Sequence, residues 1–500
     1  MTQAVRRLLR HSAVYAMASG LQRMAGFLLI PLYTRVLAVE DYGVLEILLA
    51  LSSSGFVLAS LGLTSALNKC YHRDCRDEEE KRTLMGTMIW LVVPASALTV
   101  MLGLVLGRPL ARGLLGDPGG GGLVALALLS TAAFTLSQIP LSLLRAREMS
   151  VAYSMLSIGQ FLVMASLNIW LVGFRGRGIA GVLWGATWSS IVVLLASTPL
   201  LVRHASPRFS TRFARLLLAF GVPMIPVAIS AWVMNLSDRW FLELLSDRRQ
   251  VGLYGLGYRF GMLVEVMLVL PFQMAWPAFY FREAARPDAR ELYARVTTWF
   301  AVIGGWITVS VALGGEVVLK MMCERSFWDG AVVIPLVALA YFLNGFQYCV
   351  VPGVHLGGRT RLLPGLALLA AAVNVVLNLI WIPPYGMMGA AWATLISFVV
   401  LCALTAMVSV RAWRFRFETR RLTWVLSTLV LLIAAACLLR FDSLIMDILV
   451  RGMLEVAATT AVVVWCMREL GLGWGGFVEA LRGRLWPGRL ARSGERTGTD

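Results

Sequence analysis

The sequence predicts an all-α polytopic membrane protein of about fourteen transmembrane helices, built as two pseudo-symmetric six-helix lobes plus a C-terminal helix pair. Three observations carry this. Hydrophobic residues make up 58% of the 500-residue chain and charged residues 15%, with a mean hydropathy of +0.75; a soluble domain cannot bury that much apolar surface. The apolar residues fall in runs of spanning length, separated by short arginine-rich segments. Several short motifs recur once, at an offset of roughly 208–214 residues.

Taken in order, runs long enough to cross a bilayer occupy residues 12–36, 44–67, 84–107, 123–144, 151–174, 179–202, 213–238, 250–276, 297–318, 331–352, 362–382, 387–410, 422–440 and 446–467, because about 20 apolar residues of helix match the hydrocarbon thickness. Basic residues in MTQAVRRLLRHS precede the first run, as in a signal sequence. That run is too long for a cleaved segment and has no A-x-A site, so it reads as a retained span. With the N-terminus inside, roughly 31 of the 45 Lys and Arg fall on the inner side and about 12 outside. A miscount of one helix would invert this bias downstream, and it does not invert. Both ends are therefore expected in the cytoplasm, and the net charge of +17 reads as topology rather than a nucleic-acid surface. The outer loops are short, the Gly-rich 116–122 loop and the 320–330 segment being among the longest, and there is no Walker A sequence. The inner 69–82 loop, KCYHRDCRDEEEKR, mixes both signs and reads as a solvated helix face. The seven cysteines give no disulfide framework, and Cys70-Tyr-His72-Arg-Asp-Cys75 fits no zinc spacing, so no metal is expected. The histidines His11, His72, His204 and His355 fall at loops or helix ends and form no catalytic constellation.

The repeat sets the organisation. Tyr42-Gly43-Val44-Leu45, entering the second run, returns as Val251-Gly252-Leu253-Tyr254 entering the eighth. Arg145 and Arg147 return as Arg359 and Arg361, and Asn168 with Trp170 returns as Asn378 with Trp381. Gly178, Gly181, Trp184 and Thr187 return as Gly386, Gly389, Trp392 and Thr394. An even number of helices per copy keeps both copies in one orientation. They are parallel repeats about an axis along the membrane normal, a design that places a substrate site between lobes. The expected domains are an N-lobe over 1–211, a C-lobe over 212–420, an extra helix pair over 421–468 and a cytoplasmic segment over 469–500. In that last segment Trp474, Phe477, Leu481, Leu485 and Trp486 recur at helical spacing among arginines, as in a surface helix over Glu469–Leu490, before a polar tail.

Charges inside spans are the candidates for function. Arg23 lies about 12 residues into the outward-running first span, and Arg259 about 9 residues into the inward-running eighth. Both reach a similar depth from different lobes. Guanidinium forks bind phosphate oxygens in pairs, so two at one depth suit a diphosphate. The plainer alternative is that each arginine pairs with a carboxylate or carbonyl and pins helices. Glu265, six residues after Arg259, falls about 120° around the helix and is not expected to pair with it. It is a candidate for proton or sodium coupling, or a counter-charge. Asp238-Arg239 and Glu46 sit near outer span ends, where a solvated interface is the simpler reading and an outer gate the alternative. Gly221-x-Pro223-x-x-Pro226 in the seventh span, and Gly20, Gly26 and Pro31 in the first, are candidate helix-bending positions. Gly252, Gly255, Gly257 and Gly261 give the eighth helix a small-residue packing face.

These residues carry a family resemblance. Pro31-Leu-Tyr-Thr-Arg-Val-Leu-Ala-Val-Glu40-Asp41-Tyr42-Gly43 resembles the first-loop signature of polysaccharide-biosynthesis flippases, PL-x-TR-x-L-x-x-EDYG. Tyr385-Gly386-Met-Met-Gly389-Ala390-Ala391-Trp-Ala393-Thr394 resembles their second-lobe signature. The resemblance extends over about residues 5–470 and is to the oligosaccharide-lipid branch of the multidrug/oligosaccharidyl-lipid/polysaccharide exporter superfamily. It implies two six-helix lobes in a V around a central cavity. It also implies transfer of an undecaprenyl-diphosphate-linked glycan from the inner to the outer leaflet of a bacterial inner membrane. Peptidoglycan-precursor flippases of the superfamily similarly place cavity arginines on the first and eighth helices, positions matched by Arg23 and Arg259. There an aspartate can follow the first arginine, where this chain has Met24. In that branch two last helices form a lipid-tail groove, a role open to the 422–467 pair. The EDYG run favours the polysaccharide branch.

The expected function is thus a non-enzymatic flippase using alternating access, with no cofactor beyond coupling to protons, sodium or the membrane potential. Its partners would be the lipid-linked glycan, membrane lipids, a polysaccharide polymerase and export machinery. The alternatives are an ion-coupled drug antiporter on the same fold or a lipid II-type flippase. A membrane glycosyltransferase or polymerase would need larger outer loops.

Overall fold

A computed structural model describes residues 26–413, 417–438 and 444–470. Arg23 and the segment from 471 onward, with most of the expected surface helix, lie outside these residues. Every regular element among the described residues is helical. A short apolar helix, α1 (Gly26–Val36), ends the first expected span. Thirteen longer helices are apolar enough to cross a membrane: α2 (Val39–Arg73), α3 (Glu78–Leu115), α4 (Pro118–Ala146), α5 (Ser150–Phe174), α6 (Gly178–His204), α7 (Thr211–Leu236), α8 (Arg248–Glu283), α9 (Ala289–Met322), α10 (Arg325–Leu356), α11 (Thr360–Tyr385), α12 (Met387–Trp413), α13 (Thr419–Leu438) and α14 (Ile445–Trp465). The chain is a multi-pass membrane protein. Most helices outrun the apolar runs that predicted them, because polar and charged residues continue each helix past the hydrocarbon layer and cap it. The Asp77 carboxylate accepts from the Glu80 N–H (2.8 Å) at the start of α3, and Asp247 does the same for Gln250 (2.8 Å) at the start of α8.

Three helices are broken where the sequence weakens the backbone ladder. Leu61 and Gly62 take positive φ, splitting α2 after Ser60. In α7 the chain tightens into a 3₁₀ turn over Val222–Met224, where Pro223 and Pro226 withhold two N–H donors. The breaks in α2 and α7 meet: a Cβ on Gly221 would lie 2.3 Å from the Leu61 carbonyl oxygen. In α8 a turn at Met262 leads into a π-helical stretch, Glu265–Val269. Pro31 occupies the first turn of Ile30–Val36, after a turn at Leu29.

Within the first half α3 packs on α4 and α4 and α5 on α6; within the second α9 packs on α10 and α10 and α11 on α12. The halves meet where α2 crosses α8. A Cβ on Gly43 would lie 2.3 Å from the Arg248 carbonyl oxygen, and one on Gly252 2.2 Å from that of Val39. The contact is reciprocal at one sequence offset, as a two-fold axis between the repeats requires. Helices α13 and α14 lie against α9. There Arg451 reaches Glu316 (2.6 Å) and Asp447 (3.4 Å), and Lys320 binds Glu316 (2.9 Å) and Asp447. Asp447 and Arg451 are buried. Two charges of each sign cancel, which lets this ladder fix α14 inside an apolar layer.

The 69–82 segment ends α2 and begins α3. Glu79 pairs with Arg208 (3.1 Å), on the connection from α6 to α7, and Glu80 with Arg212 (2.8 Å), in the first turn of α7. The Ser206 N–H also donates to the Arg82 carbonyl (2.9 Å) and the Trp90 indole to the Pro207 carbonyl (2.9 Å). The acidic run is solvated, as expected, and also straps the connection between the two halves.

Candidate functional site

A cavity of about 1150 Å³ opens among α1, α2, α7, α8, α10, α11 and α12. Its charged end is built on the α2–α8 crossing. Gly255 faces Glu46 at the position where a Cβ would lie 2.4 Å from the Glu46 Cγ; the missing side chain admits the carboxylate between the helices. Arg259, one turn further on, meets it with Nη2 at 2.6 Å and Nε at 2.9 Å, both on Oε1. Oε2 faces the Arg239 Nε at 3.7 Å. Arg239 also donates through Nη1 to Asp238 Oδ1 (2.8 Å) and to the Asn235 carbonyl (2.7 Å), and lies over the Tyr258 ring at 4.1 Å. The Tyr254 hydroxyl donates to Asp238 Oδ2, and the Thr394 hydroxyl reaches the same oxygen at 3.4 Å. The Tyr341 hydroxyl lies 3.1 Å from both the Tyr258 hydroxyl and Asn235 Oδ1.

The result is a neutral cluster of two guanidiniums and two carboxylates drawn from both halves of the chain. Buried ions are tolerated in that form alone, since an unpaired one carries a desolvation penalty of several kcal/mol. The Arg239 side chain is 2% exposed and that of Arg259 22%, so of these two Arg259 presents more of its guanidinium to the cavity.

The structure corrects one expectation. Asp238, Arg239 and Glu46 do not sit at a solvated interface: all three are buried, with residue exposures of 1%, 2% and 4%. The short helix Asp238–Leu245 folds inward against α8, α11 and α12 rather than ending α7 in water. Arg259, one of the two arginines expected to face the cavity, does line it and is paired with Glu46 at the same time. Glu265 also lines the cavity and accepts from Asn344 Nδ2 at 3.3 Å. Sequence reasoning missed the Glu46–Arg259 pair and the role of Arg239. The signal for the pair was present: Glu46 and Gly255 occupy matching positions in the two repeats, so the axis that joins Gly43 to Gly252 also places Glu46 beside α8.

The Asn168–Asn378 and Thr187–Thr394 repeat pairs are all buried. A second recess, of about 580 Å³, lies between α9, α13 and α14, lined by Trp306, Leu429 and Trp465, with Arg420 and Arg421 among its walls.

Comparisons place this arrangement. A lipid II flippase, MurJ, in an inward closed conformation is similar over 92% of this chain and 99% of its own, with a TM-score of 0.70 at 14% identity. A multidrug resistance MATE family transporter of the MOP superfamily, in an inward-facing conformation, matches 85% of this chain and 100% of its own, with a TM-score of 0.65 at 14% identity. The Vibrio cholerae MATE transporter VcmN, in its bent form, matches 82% and 97%, with a TM-score of 0.52 at 15% identity. At such identities the likeness speaks for the fold. No curated protein matches the sequence. The model of a family described as polysaccharide biosynthesis protein matches residues 8–280, more than half of the chain, and the protein belongs to that family.

Proposed function

We propose that the protein is a flippase that carries a polyprenyl-diphosphate-linked oligosaccharide from the inner to the outer leaflet of a bacterial inner membrane. The observation that carries the reading is Arg259: a partly exposed guanidinium in the wall of a cavity larger than the ~300–1,000 Å³ of ordinary small-molecule pockets. Family membership and the shared transporter fold support it.

The mechanism follows from the pairing. Glu46 stands on α2 and Arg259 on α8, so their ion pair holds the two halves together beside the Gly43–Gly252 contact. A diphosphate entering the cavity competes with Glu46 for Arg259, with Arg23 as the second expected ligand. Once Arg259 turns to the diphosphate, the halves, taken as 1–211 and 212–420, lose a bond that ties them. They part at that end by rocking, aided by the breaks at Gly221, Pro223 and Pro226 and near Pro31. Glu46, freed, and Asp238 and Glu265 are the carboxylates available to couple the motion to protons or sodium. The α9–α13–α14 recess takes the lipid tail. Both chain ends lie in the cytoplasm on this reading, with a polymerase and export machinery acting on the product.

The test is transport in proteoliposomes holding a fluorescent polyprenyl-diphosphate glycan. Arg259→Ala and Arg23→Ala are each expected to slow leaflet transfer at least tenfold; wild-type rates in both would overturn the cationic mechanism. A second reading, an ion-coupled drug antiporter, is favoured by one observation: the cavity also presents Glu46 and Glu265. Proton-driven efflux of a cationic dye, without glycolipid transfer, would select it. Transfer of lipid II in preference to other glycolipids would select a peptidoglycan role.

A further inference from the structure

The recess between α9, α13 and α14 is separate from the central cavity and has one charged end. On α9 its wall is Val302, Gly305, Trp306 and Val309, at i, i+3, i+4 and i+7. The opposite face of α9 turns to the helices that line the cavity. A Cβ on Gly304 would lie 2.7 Å from Leu268 of α8 and 3.3 Å from Phe342 of α10. Helix α9 therefore stands between the recess and the cavity.

The recess is about one leaflet deep. Arg420 and Leu432 both line it, roughly 18 Å apart along α13, and half of the hydrocarbon core is about 15 Å. Toward the midplane α14 is pinned to α9. There the Trp306 indole donates to the Thr459 hydroxyl (3.0 Å), and the Ser310 hydroxyl lies 2.5 Å from Glu455 Oε1. At the other end Trp465 meets Trp299 edge to face, with ring centres 4.9 Å apart, and Trp424 joins the recess wall. Tryptophans gather in this way where a membrane meets water. Arg420 and Arg421 line the same end and are exposed. Among the described lining residues they are the charged ones. An apolar slot headed by two guanidiniums is complementary to a lipid with an anionic head.

This end also adjoins the cavity wall. Phe417, just before Arg420 in the chain, packs on the cluster of Trp276, Tyr280 and Tyr293, and Glu418 accepts from the Thr298 hydroxyl of α9 (2.7 Å). Trp276 and Tyr280 line the cavity. Arg259 stands 17 residues before Trp276 on α8, roughly 26 Å of helix. One diphosphate therefore cannot rest on Arg259 and on the Arg420–Arg421 pair at once.

We propose that Arg420 and Arg421 are a docking site, where the carrier's diphosphate rests in the headgroup layer, its polyprenyl tail in the recess, before the head enters the cavity. This rests on the flippase reading above, on which this end faces the inner leaflet. Two adjacent guanidiniums offer one fork to each phosphate group of a diphosphate. A phospholipid phosphodiester carries one charge and leaves a fork unused. The tail stays in its slot while the head passes to the neighbouring cavity wall.

The experiment uses the full chain in nanodiscs of zwitterionic lipid, with polyprenyl diphosphate and polyprenyl monophosphate probes that carry a photoreactive group in the tail. Crosslinks mapped to α13 and α14 report occupancy of the recess. Arg420→Gln/Arg421→Gln is expected to weaken labelling by the diphosphate probe about tenfold. Arg420→Lys/Arg421→Lys keeps the charges that set topology but loses the forks, and should weaken it about threefold. The wild type should label better with the diphosphate than with the monophosphate, and the glutamine variant should lose that preference. Unchanged labelling in the glutamine variant, or equal labelling of the wild type by both probes, would overturn the proposal. So would displacement of the diphosphate probe by added anionic phospholipid, which would make the recess an ordinary lipid site. Arg259→Ala separates the two readings. If it transfers carrier at the wild-type rate while the recess variants behave as stated, the cavity mechanism fails and the docking site stands. If it slows transfer while the glutamine variant labels as the wild type does, the docking site fails and the flippase reading stands. Unchanged thermal unfolding of the variants shows that any loss is local.

Discussion

Glu46 takes two nitrogens of Arg259 on one oxygen and faces Arg239 across 3.7 Å. One buried carboxylate therefore serves two guanidiniums, and removing it leaves both undercompensated. Glu46→Ala is expected to lower stability by about 3–5 kcal/mol, as for other broken buried pairs. In Glu46→Ala/Arg259→Ala the orphaned charge goes as well, so the double variant should be more stable than the two single losses predict, by about 0.5–3 kcal/mol. Denaturant unfolding of the four proteins in detergent completes the cycle, and simple additivity would mean the pair carries no coupling. The double variant should remain inactive in transport despite its recovered stability. Arg259 was legible in the sequence because a charge inside an apolar run stands out. Its partner was not, because Glu46 lies near a span end, where burial and exposure look alike until the neighbouring helix is placed.

At the scale of helices, the α2–α8 crossing is set by glycines. Gly43 and Gly252 let backbone touch backbone, and Gly255 lets a carboxylate lie between the helices. Gly252→Ala puts a methyl group 2.2 Å from the Val39 carbonyl oxygen, a clash the backbones relieve by moving apart, at about 1–3 kcal/mol. The expected outcome is a population shift toward a state open at that end. Spin labels at Glu40 and Arg249 should then show a longer distance than in the unmodified protein, and an unchanged distance would show that the crossing yields elsewhere. The small-residue face of α8 was readable from Gly252, Gly255, Gly257 and Gly261, and its partners include Gly43, Glu46, Gly330 and Val337. The ladder of Glu316, Lys320, Asp447 and Arg451 was not. Its two i,i+4 pairs, one on α9 and one on α14, lie more than a hundred residues apart, and each charge alone looks like an ordinary charge near a span end.

For the whole molecule, parallel repeats make a parity prediction. The turn after α4 at Glu148 and the turn after α10 at Gly358 occupy matching positions in the two copies. Single cysteines there, in a background without native cysteines, should both be labelled from the same side of the membrane by an impermeant thiol reagent. A cysteine at Gly176, after α5, should be labelled from the other side. Labelling of Glu148 and Gly358 positions from opposite sides would refute the parallel arrangement and the cytoplasmic termini inferred with it.

The sequence by itself determined that the chain crosses a membrane many times, where nearly every helix lies, and that it is built twice over. It could do so because lipid imposes one rule on every span: about 20 apolar residues with the backbone bonded internally. It also named Arg23, Arg259 and Glu265 as charges out of place. The tertiary structure alone decided which charges compensate which, and that Asp238, Arg239 and Glu46 are buried. The physical reason is one of range. Spanning helices are written locally, residue by residue, whereas ion pairing and cavity shape depend on where distant helices cross, and a side chain's surroundings exist once those crossings are made.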